Sequence, residues 1–325
     1  MWALGYWVAM VVIGVAAAIT VLAAARRSVR AEKEERPEPA FYVTSTIDGE
    51  RQPCLFSAAE SGTPRPLLVA LHPWSHGFNT YGDTSAWQEE ARKRNWHCLH
   101  PDFRGPNWTP EACGSAKARQ DVLDAIDYVI ERFEVDEGRI YVAGGSGGGH
   151  MTLVMAAHAP DRWAAASAWC PITDLATWHA ECRAADRKYW KDIEAVVGGP
   201  PGSSAGIDED LRFRSPVHHL AAATDLPVDI NTGIHDGHDG SVPIHHAVDA
   251  FNAIAAALGS PQVAEEELAT LSEEQPLGTQ EEQDSAYGRA IHLRRYAGAS
   301  RLTVFEGGHE ALVATACAWL ETHRR

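Results

Sequence analysis

From residue 41 onward, short apolar runs alternate with longer stretches whose apolar positions recur at helical spacing. The runs at residues 67–71, 96–100, 140–143, 164–169, 228–234 and 302–305 have the length and character of buried strands. Between Ser115 and Phe133, the residues Val122, Ile126, Val129, Ile130 and Phe133 fall on one helical stripe, which predicts a helix packed on a core. Strands alternating with helices predict a mostly parallel, doubly wound α/β sheet with helices on both faces. Residues 41–47 and 51–56, joined by the turn Asp48-Gly49, predict an opening hairpin.

Two stretches interrupt this rhythm. Residues 174–199 carry Trp178, Tyr189 and Trp190 among many charges and predict a helical excursion over the end of the sheet. Residues 260–293 are rich in Glu and Gln and predict an acidic surface insertion, with a substrate-selecting lid as the other reading. Ahead of the domain, residues 2–25 hold no charged side chain and exceed the ~20 residues that span a bilayer as a helix. The run lacks the basic leader of a secretory signal, although its Ala-rich end resembles a cleavage site. The expectation is a transmembrane anchor over 1–25, a charged, Pro-containing tether over 26–40 and a catalytic domain over 41–325. Arg26, Arg27 and Arg30 follow the span and favour a cytoplasmic domain.

The densest chemical signal is Gly144-Gly145-Ser146-Gly147-Gly148-Gly149, set between the run ending at Ala143 and a helix-like run from His150. Strand, glycine-crowded turn and helix make a nucleophile elbow, in which small neighbours tolerate the strained backbone that lifts a serine clear of the sheet. A serine needs a base and an orienting carboxylate, and two strand ends downstream supply candidates in the order Ser, Asp, His. Asp239 follows the run at 228–234 and precedes Gly240-Ser241-Val242-Pro243, and His309 lies in Phe305-Glu306-Gly307-Gly308-His309. The expected catalytic set is Ser146, Asp239 and His309.

These motifs resemble those of the prolyl-oligopeptidase family of serine peptidases, within the α/β-hydrolase superfamily. Gly144–Gly149 is similar to its nucleophile motif, Asp239 to Pro243 to its Asp-x-x-Val-Pro segment, and Phe305 to His309 to its histidine loop. The likeness extends through residues 121–130, 136–140 and 160–165 and covers roughly residues 65–320. It implies an α/β-hydrolase fold, acyl transfer through a covalent serine intermediate, and no cofactor. The family's larger members carry a size-screening β-propeller, and no stretch here is long enough to form one. The usual His-Gly-Gly-Pro segment is replaced by His72-Pro73-Trp74-Ser75-His76-Gly77. An oxyanion hole in this fold takes the amide after the nucleophile and one from that loop, here Gly147 and Trp74. Trp74 reads equally as a packing aromatic, and Arg104 as a brace or a contact to a substrate carboxylate.

The remaining composition narrows the choices. The net charge of −16 with no basic stripe opposes nucleic-acid binding. Among 16 histidines, His235-Asp236-Gly237-His238-Asp239 has metal-ligand character, but the segment already supplies the acid and no third ligand cluster has diagnostic spacing, so no metal is expected. His218, His219, His245 and His246 read as structural. Six cysteines at Cys54, Cys98, Cys113, Cys170, Cys182 and Cys317 lack metal or redox spacing and leave the disulfide state open. The expected function is a serine hydrolase acting on a small peptide or ester substrate. A carboxylesterase uses the same triad, and a catalytically silent binding module would not need all three residues.

Overall fold

The computed structural model describes residues 38–325 apart from 61, 81, 276 and 278–281. The expected anchor and most of the tether lie outside the described residues. Among the described residues no helix is long and apolar enough to cross a membrane.

Among the described residues ten strands form one sheet: β1 (Phe41–Thr44), β2 (Arg51–Ser57), β3 (Arg65–Leu71), β4 (His97–Pro101), β5 (Val135–Gly145), β6 (Ala165–Trp169), β7 (Val228–Gly233), β8 (Glu282–Asp284), β9 (Arg289–Ala297) and β10 (Ser300–Phe305). Their order is β1-β2-β4-β3-β5-β6-β7-β10-β9-β8. The strands from β4 to β10 run parallel, while β1, β2, β9 and β8 close the two edges in antiparallel pairs. Central strands such as β6 and β7 are buried along their whole length. The polar residues β7 carries there are partnered, Asp229 by Arg301 and Ser167, and Asn231 by Tyr287.

Nine helices are described: α1 (Asp83–Lys93), α2 (Ala116–Ile130), α3 (Gly147–His158), α4 (Leu175–Ala184), α5 (Tyr189–Val197), α6 (Ala205–Arg214), α7 (His245–Ala257), α8 (Glu265–Ser272) and α9 (Val313–Leu320). Alternate strand residues feed two cores. Leu67, Val69, Val142, Ile230 and Val304 pack with α2, α3 and α7 on one face. Leu68, Tyr141 and Phe305 pack with Trp87 of α1 and Cys317 of α9 on the other. In α2 the side chain of Ser115 accepts a hydrogen bond from the Ala118 amide and caps the helix. The stripe positions Val122, Ile126 and Val129 are fully buried, and Ile130 and Phe133 are partly buried against the same core.

Residues 174–199 do form a helical excursion, α4 and α5, with a small core of Trp74, Trp178, Ile193 and Val196. Residues 260–293 differ from the expected surface insertion. They contain α8 and β8 and the first half of β9, and β9 pairs with β10 as a full sheet member. Its buried Ile291, Leu293 and Ala297 alternate with more exposed His292, Arg294 and Tyr296, the pattern of a strand with one dry face.

Candidate active site

The loop between β5 and α3 folds into the expected elbow. Ser146 has φ 58° and ψ −121°, a region that non-glycine residues avoid at a cost of about 1–3 kcal/mol. Its backbone is held there by Ser146 N donating to Trp169 O (2.8 Å) and His150 N donating to Ser146 O (2.9 Å). The glycines follow from close backbone approach. A Cβ on Gly148 would stand 2.1 Å from Leu71 O, and one on Gly147 would stand 2.3 Å from Trp74 N. The helix N-terminus can approach β3 only without side chains there.

His309 and its carboxylate partner are brought together by the loops after β10 and β7. His309 Nδ1 donates to Asp236 Oδ2 at 2.8 Å. Asp236, with a fully buried side chain, also accepts from its own loop through Oδ1, from Gly237 N (2.9 Å) and Val242 N (3.2 Å). This corrects the sequence expectation for the acid, because Asp239 is exposed and Asp236 holds its place. The chain turns as soon as β7 ends, with Asp236 N bonded to Gly233 O and both His238 N and Asp239 N bonded to His235 O. That turn tucks Asp236 under the histidine and carries Asp239 outward. Gly240 completes the fit, since a Cβ there would lie 2.1 Å from Asp236 Oδ1 and 2.6 Å from His309 Cβ.

Ser146 and His309 line one cavity of about 280 Å³ with Pro73, Trp74, Ser75, His76, Tyr189 and Glu310 among its walls. The backbones of Gly147 and Trp74 lie against each other, as the close approach at Gly147 requires. The packing reading of Trp74 describes its side chain: its indole is buried, donates to Asp192 Oδ2 (3.2 Å) and meets Trp178 edge-on at 4.8 Å. Burial raises the Asp192 carboxyl above its ordinary range, opposed by that indole hydrogen bond. The loop carrying Trp74 is anchored by His72, whose ring stacks on Phe103 at 3.8 Å and whose Nε2 lies 2.8 Å from Asp102 O.

The excursion ties these loops together. Arg187 donates to the carbonyl of Gly240, Lys188 Nζ reaches Ser75 Oγ (3.1 Å), and Trp178 Nε1 donates to Ser241 O (2.9 Å). Arg104 is a brace, paired with Asp48 and Asp121 and donating to Ser45 Oγ. Cys170, also at the cavity, was not singled out in the sequence. Its thiol lies near Asp236 and His309, and burial first, then the Asp236 charge, pushes its pKa well above the ordinary thiol value. A thiol held protonated is a poor nucleophile. All six cysteines are free and buried.

A model of the prolyl oligopeptidase family matches residues 103–266, half of the chain. The chain is 28% identical over 215 residues to acylamino-acid-releasing enzyme 2 of Oryza sativa subsp. japonica, a match over 58% of this chain and 27% of that protein. It is 24% identical over 176 residues to a probable acetylxylan esterase A of Aspergillus clavatus, covering 49% of this chain and 56% of the other. The structure of uncomplexed Pyrococcus horikoshii acylaminoacyl peptidase superposes with a TM-score of 0.57 at 14% identity, over 91% of this chain and 41% of that one, a likeness of fold. This chain thus spans about a quarter of the length of the acylamino-acid-releasing relative. With the family match lying across the elbow and the acid loop, the chain belongs to the prolyl oligopeptidase family.

Proposed function

We propose that this protein is a serine peptidase of short peptides, working by acyl transfer through Ser146, His309 and Asp236. The observation that carries the reading is the 2.8 Å hydrogen bond from His309 Nδ1 to buried Asp236, on a histidine that shares its cavity with a strained serine. With Nδ1–H committed to Asp236, His309 keeps Nε2 as its basic nitrogen. Nε2 takes the Ser146 proton as Oγ attacks the carbonyl, and later delivers it to the leaving amine; water then releases the acyl group. The amides of Gly147 and Trp74 receive the developing oxyanion. No cofactor takes part in this scheme.

The likeness to the acylamino-acid-releasing relative supports peptide substrates, and the modest cavity supports short ones. A second reading, a carboxylesterase, draws support from the likeness to the acetylxylan esterase, because the same triad serves both bonds. We assign residues 2–25 the role of a membrane anchor, with the catalytic domain on the cytoplasmic side, on the strength of the uncharged run and the arginines after it.

A fluorophosphonate probe should label the wild type and leave Ser146→Ala unlabelled, and equal labelling of both would refute the nucleophile. A panel of aminoacyl, N-acylaminoacyl and dipeptidyl amides beside p-nitrophenyl esters decides the substrate class. Turnover of esters with every amide inert would replace the peptidase reading by the esterase one.

A further inference from the structure

Outside the catalytic cavity, α4 and the first turn of α7 converge on a set of ligand-type side chains. His245 Nε2 lies 2.6 Å from Glu181 Oε1, and His246 Nε2 lies 3.1 Å from Glu181 Oε2. The other nitrogen of each ring faces an outer partner. His245 Nδ1 is 2.9 Å from Asp249 Oδ2, and His246 Nδ1 is 3.1 Å from Thr173 Oγ1. The Thr173 hydroxyl donates to His246 O at 2.9 Å, and the Thr173 backbone N–H donates to His246 Nδ1 at 3.3 Å.

Both Nε2 atoms are directed at one carboxylate, and His245 is held from behind by Asp249 at Nδ1, the way proteins orient a histidine around zinc. One ligand atom from each of Glu181, His245 and His246 lies within 4.8 Å of the others, and tetrahedral bonds of about 2.0–2.1 Å need only a modest closing or opening of these distances. His246 is fully buried, while the Glu181 and His245 side chains are 30% and 23% exposed, which gives an ion a route from solvent.

We propose that Glu181, His245 and His246 form a binding site for a divalent ion of the zinc type, with a fourth position open to water and with Asp249 as the outer partner of His245. Two nitrogens and one carboxylate favour zinc and its transition-metal neighbours over calcium or magnesium, which prefer all-oxygen sets. The ion bridges α4 to α7. On α4, Trp178 precedes Glu181 by one turn and holds both Ser241 O and the Trp74 indole. A metal at this point therefore fastens the helical excursion to the element that follows the acid loop. The site stands apart from the catalytic triad and does not depend on the proposed activity.

The test uses full-length protein stripped of metal by a chelator, titrated with Zn²⁺ by calorimetry and with Co²⁺ by visible absorption. The catalytic set Cys170, Asp236 and His309 also has its ligand atoms within 4.8 Å of one another, so the titration is made in a His309→Ala background. One Zn²⁺ per chain and the visible bands of four- or five-coordinate Co²⁺ are expected. Glu181→Gln, which keeps the shape of the side chain, and His245→Ala should each abolish both signals, and Asp249→Asn should weaken binding about 10- to 100-fold. Absence of stoichiometric zinc binding in His309→Ala, or undiminished binding by Glu181→Gln, overturns the site. Circular dichroism checks that each variant is folded, and if His245→Ala is not, the isosteric Glu181→Gln decides.

Discussion

A methyl group added to Gly147 would sit 2.3 Å from the backbone nitrogen of Trp74 and 2.4 Å from its Cα. The two amides assigned to the oxyanion hole are therefore adjacent, and position 147 sets the spacing between them. Gly147→Ala must push the Trp74 loop away. Losing one oxyanion donor costs about 3 kcal/mol, so kcat should fall about 10²- to 10³-fold while Ser146 stays in place. Steady-state kinetics with a preferred peptide or ester checks this, and a KM change at constant kcat would assign the contact to binding instead.

Asp236 and Asp239 should separate cleanly on substitution. Asp236→Asn leaves a buried amide where His309 needs an acceptor, favours the wrong tautomer and should lower kcat/KM about 10⁴-fold. Asp239→Asn changes an exposed side chain and should stay within a few-fold of wild type. Comparing both variants by kcat/KM and by fluorophosphonate labelling rate tests the assignment. The reverse order would restore Asp239.

Acid should weaken the fold through buried neutral histidines. Burial lowers the His150 pKa from 6.5 to about 4 and that of His100 to about 3. Between those values and 6.5 the unfolded chain binds protons that the native state refuses, so stability falls as pH drops below 6.5. For His150 the loss is complete near pH 4 and amounts to roughly 3 kcal/mol. Thermal melts from pH 7 to 4 should show this slope, and His150→Gln, able to keep a hydrogen bond to Ile172 O, should show a shallower one. Parallel curves for the two proteins would assign the acid sensitivity elsewhere.

If residues 2–25 anchor the protein, it should sediment with membranes, resist carbonate extraction and keep its N-terminus by mass spectrometry. A soluble product starting near residue 26 would mark a cleaved signal instead. Protease added to spheroplasts should leave the catalytic domain intact, and its digestion would place the domain outside.

Much of the sheet was legible because central strands are dry on both faces. The runs at 67–71 and 302–305 appear as β3 and β10, each with two residues added at its start. Ser146 was equally plain, since its glycines answer to backbone contacts that allow no side chain. β9 escaped notice because its apolar residues are diluted by Arg294 and Arg295, whose charges find Asp284 and Glu267 only in the folded chain. The acid was misplaced for a related reason. Two aspartates three apart fit one loop motif, and which of them faces inward is decided by the turn at Gly233 and His235, a tertiary matter. The site at Glu181, His245 and His246 joins residues more than sixty positions apart, beyond the reach of any local spacing rule.

The grip of Arg187 on Gly240, and of Lys188 on Ser75, has a bearing on traffic through the cavity. A gate that swung the helical excursion aside would drag on the acid loop and the oxyanion loop together and disassemble the machinery it was opening. If these contacts persist through turnover, the opening to the cavity is a standing doorway, and its width, rather than the speed of a closing door, sorts what is admitted.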